Sequence, residues 1–197
     1  MLLTRWPMLT SPLKLVVITG SIREDRFGPV VEEWFARQVA RRTDLEADRV
    51  DLAEAGLPAR LTRKPPSEVR ALQPRLESAD AFVLVTPEYN HGYPASLKAA
   101  IDWFSAEWRT KPVGFVSYGG RSGGIRAVEQ LRQVFAELHA TTVRDAVSIH
   151  DAWDEFDDDG RPLDPEGAAQ AANVLLDQLV WWGLALREAR RTRPYVA

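Results

Sequence analysis

Short apolar runs along the chain alternate with longer stretches in which apolar residues recur about every 3.6 positions. Residues 13–19 form a nearly continuous apolar run ending at Gly20-Ser21, the pattern of a strand covered on both faces. Val30, Val31, Trp34, Phe35 and Val39 then return at helical spacing, with Pro29 at the first helical position and Arg41-Arg42 at the negative end. Residues 45–52 alternate apolar and charged, which predicts a strand near a sheet edge. Gly56, Pro58, Pro65 and Pro66 predict a loop over residues 53–66. A helix follows from Ser67 as its cap to Ser78, interrupted at Pro74.

The second half repeats the alternation. Residues 81–85 read as a buried strand stopped at Thr86-Pro87, and Leu97, Ala100, Ile101 and Phe104 give the next helix an apolar stripe. Residues 112–117 form a strand broken by Gly119-Gly120. Val128, Leu131, Val134, Phe135 and Leu138 define a helix, residues 143–149 a fifth strand, and Leu175, Leu179, Trp182 and Leu186 a last helix. Strict strand–helix alternation implies parallel strands joined by right-handed crossovers, with helices on both faces of an open five-stranded sheet. Ligands of such sheets sit beyond the carboxyl ends of the strands, where the winding reverses, so the loops after the first, third and fourth strands are the ones to inspect.

A length of 197 residues suits one core. Residues 1–13 read as a flexible N-terminal extension, with Met8 an alternative start to Met1, and residues 14–197 as a single domain. With 25 basic and 28 acidic residues and no Lys/Arg run, the chain lacks the positive field that a phosphate backbone requires, so nucleic acid is not expected as a partner. Cysteine is absent, which removes disulfides, iron–sulfur clusters, thiolate zinc sites and thiol catalysis; redox chemistry would need a bound cofactor. No apolar stretch reaches the roughly 18–20 residues of a spanning helix, so no membrane partner is expected and the protein reads as cytoplasmic.

After the first strand comes Gly20-Ser21-Ile22-Arg23-Glu24-Asp25-Arg26-Phe27-Gly28-Pro29, opening a helix. A helix amino terminus supplies unpaired N–H donors and a positive dipole end, and two arginines and a serine add to it, a design for one terminal phosphate. Neither a Walker loop nor a G-x-G-x-x-G fingerprint is present. After the third strand, Tyr89 and Tyr93 can present ring faces to a planar heterocycle, with Glu88 and Asn90 as acceptor and donor. After the fourth, Ser117-Tyr118-Gly119-Gly120-Arg121-Ser122-Gly123-Gly124 lets backbone amides approach a ligand closely.

Gly-Ser-Ile-Arg, Pro-Glu-Tyr-Asn and Ser-Tyr-Gly-Gly, in this order on these three loops, resemble the NADPH-dependent FMN reductase family over about residues 14–188. The resemblance implies a flavodoxin-like three-layer α/β/α fold with strand order 2-1-3-4-5 and FMN at the switch point. It implies that Ser21 and Arg23 hold the FMN phosphate, with Arg26 and Phe27 standing where many relatives have a serine and another small residue. Pro87, Glu88, Tyr89 and Asn90 would line the isoalloxazine, and Tyr118, Gly119 and Gly120 would meet its other edge. The implied activity is hydride transfer from NADPH or NADH to FMN and onward to a flavin, quinone, azo compound or metal oxyanion. The flavin does the chemistry, so no catalytic side chain is required. Two rival readings are a flavodoxin-like electron carrier and a flavin-binding interaction module.

His91, His139 and His150 are scattered and show no metal spacing, although His91 lies in the ring loop. Residues 155–166 imitate a calcium loop, but a strand precedes them and Pro162 and Pro165 stiffen them, so an acidic solvated turn is expected. Adjacent helical residues point about 100° apart, so one of Trp181 and Trp182 should leave the core stripe. Together with the resemblance this predicts a homodimer or homotetramer.

Overall fold

A computed structural model describes residues 11–196. The reading of residues 1–10, including the choice between Met1 and Met8, lies outside the described residues; Leu13 opens the first strand and is fully buried. The elements are β1 (Leu13–Thr19), α1 (Gly28–Val39), β2 (Leu45–Asp51), α2 (Leu52–Ala55), α3 (Ser67–Ser78), β3 (Ala81–Pro87), α4 (Ala95–Trp103), β4 (Pro112–Tyr118), α5 (Ile125–Glu137), β5 (Thr141–Thr142), β6 (Val147–Ile149) and α6 (Pro165–Thr192). All pairings are parallel, in the order β2-β1-β3-β4, with β5 and β6 both on the outer edge of β4. This is the flavodoxin-like order, with the winding reversed between β1 and β3.

The period of two along each strand divides the core. Leu13, Leu15 and Val17 of β1, with Ala81, Val83 and Val85 of β3, face α1 and α6, where Val31, Phe35, Leu175 and Leu179 close over them. Val16 and Ile18, with Phe82 and Leu84, face the opposite way onto α3, α4 and α5 through Leu72, Leu76, Ile101, Leu131 and Phe135. Trp108 is buried on this second face, 4.6 Å from Phe82 and 5.4 Å from Phe135 between ring centroids.

Four expectations need correction. The fifth strand is not continuous: β5 pairs with Pro112 and Val113, β6 with Val116 to Tyr118, and the chain leaves the ladder between them. Arg132 of α5 supplies the missing donors, its guanidinium reaching the carbonyls of Val143 (2.6 Å) and Arg144 (2.8 Å), while Asp145 is held by Gln178 of α6. The loop over 53–66 begins as the short helix α2, because the Asp51 carboxylate accepts from the Ala53 N–H (3.0 Å) and Gly56 ends the turn at φ +61°. Ser67 is the first helical residue rather than the cap; its hydroxyl donates to Glu68 and Pro66 precedes it. The last helix is also longer than the leucine spacing suggests, since Asp164 caps it at Gly167 N–H (2.9 Å) and small residues such as Ala172 continue its buried stripe.

At the amino-terminal edge of the sheet, Arg187 and Arg190 of α6 reach Asp80 at 3.3 and 3.2 Å. Nearby, buried Lys111 donates to the carbonyls of Leu76 and Glu77 at the end of α3. Burial, reinforced by Arg190, pushes the Lys111 ammonium down to about 8 from its ordinary 10.5. A lysine that loses its proton earlier when folded leaves the unfolded chain binding more protons between those two values, so its contribution to stability rises with pH there. Urea unfolding of wild type and Lys111→Met is expected to diverge in favour of wild type as pH rises from about 8 to about 10; a constant gap would mean that Lys111 is charged throughout.

Candidate functional site

The carboxyl ends of β1, β3 and β4 open into a cavity of about 710 Å³, within the usual range for small-molecule and cofactor sites. One wall is the loop Arg23, Glu24, Asp25, Arg26 and Phe27; buried Pro87 and Tyr118, with Gly119, form the floor; Glu88, Tyr89 and Trp153 complete the lining. A second hollow of about 300 Å³ between Trp34, Phe156 and the start of α6 has no Lys or Arg in its lining, so of these two the first is the one suited to an anionic ligand.

The loop after β1 runs without regular structure to Gly28, where α1 begins. A Cβ at Gly28 would stand 2.8 Å from the Tyr118 hydroxyl and 3.2 Å from Thr19 Cγ2, so glycine lets the helix terminus sit directly on the ends of β1 and β4. Phe27 occupies the cap position and makes no capping bond; its ring packs on Tyr118, Trp153 and Phe156, with centroids 6.3, 6.4 and 5.6 Å away. The N–H groups of Ile22, Glu24, Asp25, Phe27 and Gly28 meet no protein acceptor among the described residues. Donors of this kind, at a helix terminus beside an exposed arginine, form an anion cradle. Arg23 is that arginine: exposed, on the cavity wall, and in no ion pair among the described residues.

Arg26 is engaged elsewhere. Its guanidinium grips both oxygens of Asp51 at 2.5 and 2.6 Å and donates to the Ser21 carbonyl at 2.5 Å. The hydrogen bonds it donates to Asp51 hold the Arg26 pKa above its ordinary range. Ser21 is fully buried beneath the loop, its Oγ 2.7 Å from the Tyr89 hydroxyl and accepting from the Arg23 N–H at 3.4 Å. Ser21 therefore joins the first and third loops from below and does not line the cavity.

The ring loop is a tight hairpin. Tyr89 and Gly92 exchange both backbone bonds, at 2.8 and 3.0 Å, with Asn90 and His91 at φ +49° and +70° between them. Two positive φ values in succession make the primed turn whose twist suits such a hairpin. Asn90 is consequently an exposed tip and not part of the wall. Glu88 turns its carboxylate away from the floor to Arg126, which pairs with it at 2.6 Å and donates its backbone N–H at 3.2 Å. Arg126 also lies 2.7 Å from His91 Nε2, and Gln130 donates to the His91 carbonyl, so the first turns of α5 grip the hairpin.

The glycine loop also differs from expectation. The Gly119 N–H, expected to meet a ligand, donates to the Ile149 carbonyl at 3.2 Å, and Gly120 sits one residue behind, accepting from Gly123 and Asp151. Tyr118 is buried at the floor, and burial, followed by the neighbouring Tyr89, pushes its phenol pKa up, so the floor is uncharged. The structure thus brings Arg23, Arg26, Phe27, Pro87, Glu88, Tyr89, Tyr118 and Gly119 to one cavity and leaves Ser21, Asn90 and Gly120 beneath, above and behind it.

Sequence reasoning passed over Trp153 and Asp51. Trp153 stands on a single 3-10 turn after β6, 62% exposed at the cavity rim, and that turn is pinned to the glycine loop by Ala152 N–H to Gly119 O (3.0 Å). The acidic segment after it closes on itself, Asp157 Oδ1 accepting from the N–H groups of Asp159 and Arg161. Trp181 and Trp182 are both exposed, 49% and 37%, and meet edge to face at 4.9 Å.

A family model described as NADPH-dependent FMN reductase matches residues 13–154. An NAD(P)H-dependent FMN reductase of Schizosaccharomyces pombe is 39% identical over 147 residues, covering 69% of this chain and 73% of the relative. An NADPH azoreductase of a Bacillus species is 31% identical over 159 residues, covering 77% and 86%. Among solved structures, a flavoenzyme NAD(P)H:(acceptor) oxidoreductase of Paracoccus denitrificans superposes with a TM-score of 0.71 at 24% identity, over 88% of this chain and 98% of that one.

Proposed function

The chain belongs to the NADPH-dependent FMN reductase family, and from that premise we propose that its cavity holds FMN and that it passes electrons from NADPH or NADH to a small planar acceptor. One observation carries the reading: a donor-rich helix terminus with Arg23, unpaired among the described residues, opens onto the same cavity as Pro87, Tyr89, Tyr118 and Trp153. The donor set fits the group, since the loop N–H groups and Arg23 suit a dianionic phosphate and the aromatic rim suits a flat ring system.

The chemistry supplied by the flavin, when bound, is two-electron exchange between a nicotinamide and an acceptor. The chain's own residues bind and orient. Arg23 and the amides of Ile22, Glu24, Asp25, Phe27 and Gly28 would hold the phosphate end. Pro87, Tyr89 and Trp153 would flank the ring, over a floor kept neutral by protonated Tyr118. With its carboxylate tied to Arg126 and its N–H donated to the Tyr118 carbonyl at 3.1 Å, Glu88 would offer the ring its backbone carbonyl and not its charge. Relatives named azoreductase and quinone oxidoreductase support an aromatic acceptor for this chain too. A homodimer or homotetramer fits the exposed Trp181–Trp182 pair, and a cytoplasmic location fits a consumer of reduced nicotinamide.

The test is an absorption spectrum after incubation with FMN and desalting, followed by anaerobic NADPH and, separately, NADH. Retained flavin bands that bleach with either nicotinamide are the expected result. A colourless protein would overturn FMN binding, and a flavin that neither nicotinamide bleaches would make the protein an electron carrier.

A further inference from the structure

The phosphate loop depends on a residue outside it. Asp51 ends β2, at the sheet edge, while Arg26 stands seven residues past the end of β1. Their side chains form a two-point fork at 2.5 and 2.6 Å, and the same guanidinium reaches back to the Ser21 carbonyl at 2.5 Å. The side chains are largely sheltered, 16% and 21% exposed. Arg26 therefore spans the base of its own loop, from the carbonyl where the chain leaves β1 to the neighbouring strand.

We propose that Asp51 is a positioning residue for the phosphate site, and that Arg26 serves as the strut through which it holds the loop and not as a phosphate ligand. This deepens the proposed function and rests on it. A guanidinium whose fork is committed to a carboxylate has little left for an anion, and its planar geometry fixes direction as well as distance. With Arg26 withdrawn, Arg23 is the loop's one free cation among the described residues, and the backbone N–H groups do the rest. The strut sets where those groups point, because it ties Ser21 and Arg26, which bracket residues 22–25, to a strand that cannot move independently of the sheet. Ser21 is held a second time by Tyr89. Loss of the strut should leave the donors in place chemically but unaligned, which is what costs affinity in a preorganised site.

The two roles predict opposite signs for one substitution. Asp51→Asn removes the charge but keeps an oxygen able to accept from Ala53 N–H, so the cap of α2 survives. If Arg26 were a phosphate ligand restrained by Asp51, freeing it would tighten FMN binding. As a strut it loses its anchor, and FMN binding is expected to weaken about tenfold, the size that coupling between contacting charged residues commonly reaches. Arg26→Gln should weaken it similarly, and the double variant should be no worse than either single one, since all three remove the same link. Arg26→Lys should rescue only in part, because a point charge cannot make the fork.

FMN titration by fluorescence quenching gives the affinities. Amide hydrogen exchange over residues 22–28 in flavin-free protein gives the second readout, with faster exchange expected in Asp51→Asn. Unchanged or tighter FMN binding in Asp51→Asn, or unchanged exchange, would overturn the proposal. The exchange measurement needs no flavin, so it judges the strut even if wild type proves unable to bind FMN, which would be the failure of the functional reading instead.

Discussion

Replacing Arg23 with alanine is expected to weaken FMN binding by about 10- to 150-fold, the range set by hydrogen bonds to a charged group, while riboflavin binding stays essentially unchanged. The two ligands differ only in the phosphate, and the effect should fall on that difference. Arg23 is the cation on the cavity wall that no carboxylate among the described residues claims, whereas Arg26 is already paired. Because Arg23 is exposed and in no ion pair among the described residues, its removal should not disturb folding. Loss of the cation should also flatten the salt dependence of FMN affinity, since a screened charge–charge attraction is what added salt weakens. Paired titrations with FMN and riboflavin at low and high salt check both effects. Equal weakening of the two ligands would move Arg23 from the phosphate to the ring.

The sheet was legible because each strand carries its own signature. Runs such as Leu-Val-Val-Ile and Ala-Phe-Val-Leu-Val can only be covered on both sides, and the alternation with helices leaves little freedom in topology. The fifth strand misled because Val143 to Ile149 has strand composition, but its middle is taken out of the ladder by Arg132 of α5 and by Gln178 of α6, which holds Asp145, two partners outside the segment. Side-chain donors that replace ladder bonds leave no trace in local periodicity. The same holds at the site. The three loops could be found from turn residues at strand ends, yet the fate of Arg26 depends on Asp51, twenty-five positions on, and Ser21 is buried only because Tyr89 closes over it. The position of Asn90 was more accessible: Asn-His between Tyr89 and Gly92 is short enough for a primed hairpin turn, which sends both side chains outward. Trp153 was missed for a topological reason, because the reversal rule points to the loops flanking β1 and β3, whereas this tryptophan arrives from beyond β6.

The glycine loop after β4 holds the second large effect. Gly124 precedes α5 at φ +84°, ψ +7°, and a Cβ there would stand 2.6 Å from Ser117 Cβ and 3.0 Å from both Ser117 Oγ and the Tyr118 nitrogen. Those neighbours belong to β4, which is pinned between β3 and β6 and cannot retreat. Gly124→Ala therefore combines a left-handed backbone penalty with overpacking against fixed atoms, and is expected to cost about 2–4 kcal/mol of stability. Gly120→Ala is the internal control: its φ is not positive, the nearest atom to a new Cβ is Asp151 Oδ1 at 3.7 Å, and a change of about 0.5 kcal/mol or less is expected. Urea unfolding midpoints of the two variants should thus separate clearly. The consequence reaches the cavity, because Gly124 sets the start of α5, whose first two turns carry Arg126 and Gln130, which hold Glu88 and the Tyr89–Gly92 hairpin. Where Gly124→Ala still folds, the displaced helix should loosen that hairpin, and the affinity lost should be shared by FMN and riboflavin, the opposite of the Arg23 pattern. Equal stability of the two glycine variants would show that β4 yields, and the rigid floor assigned to Tyr118 and Gly119 would have to be abandoned.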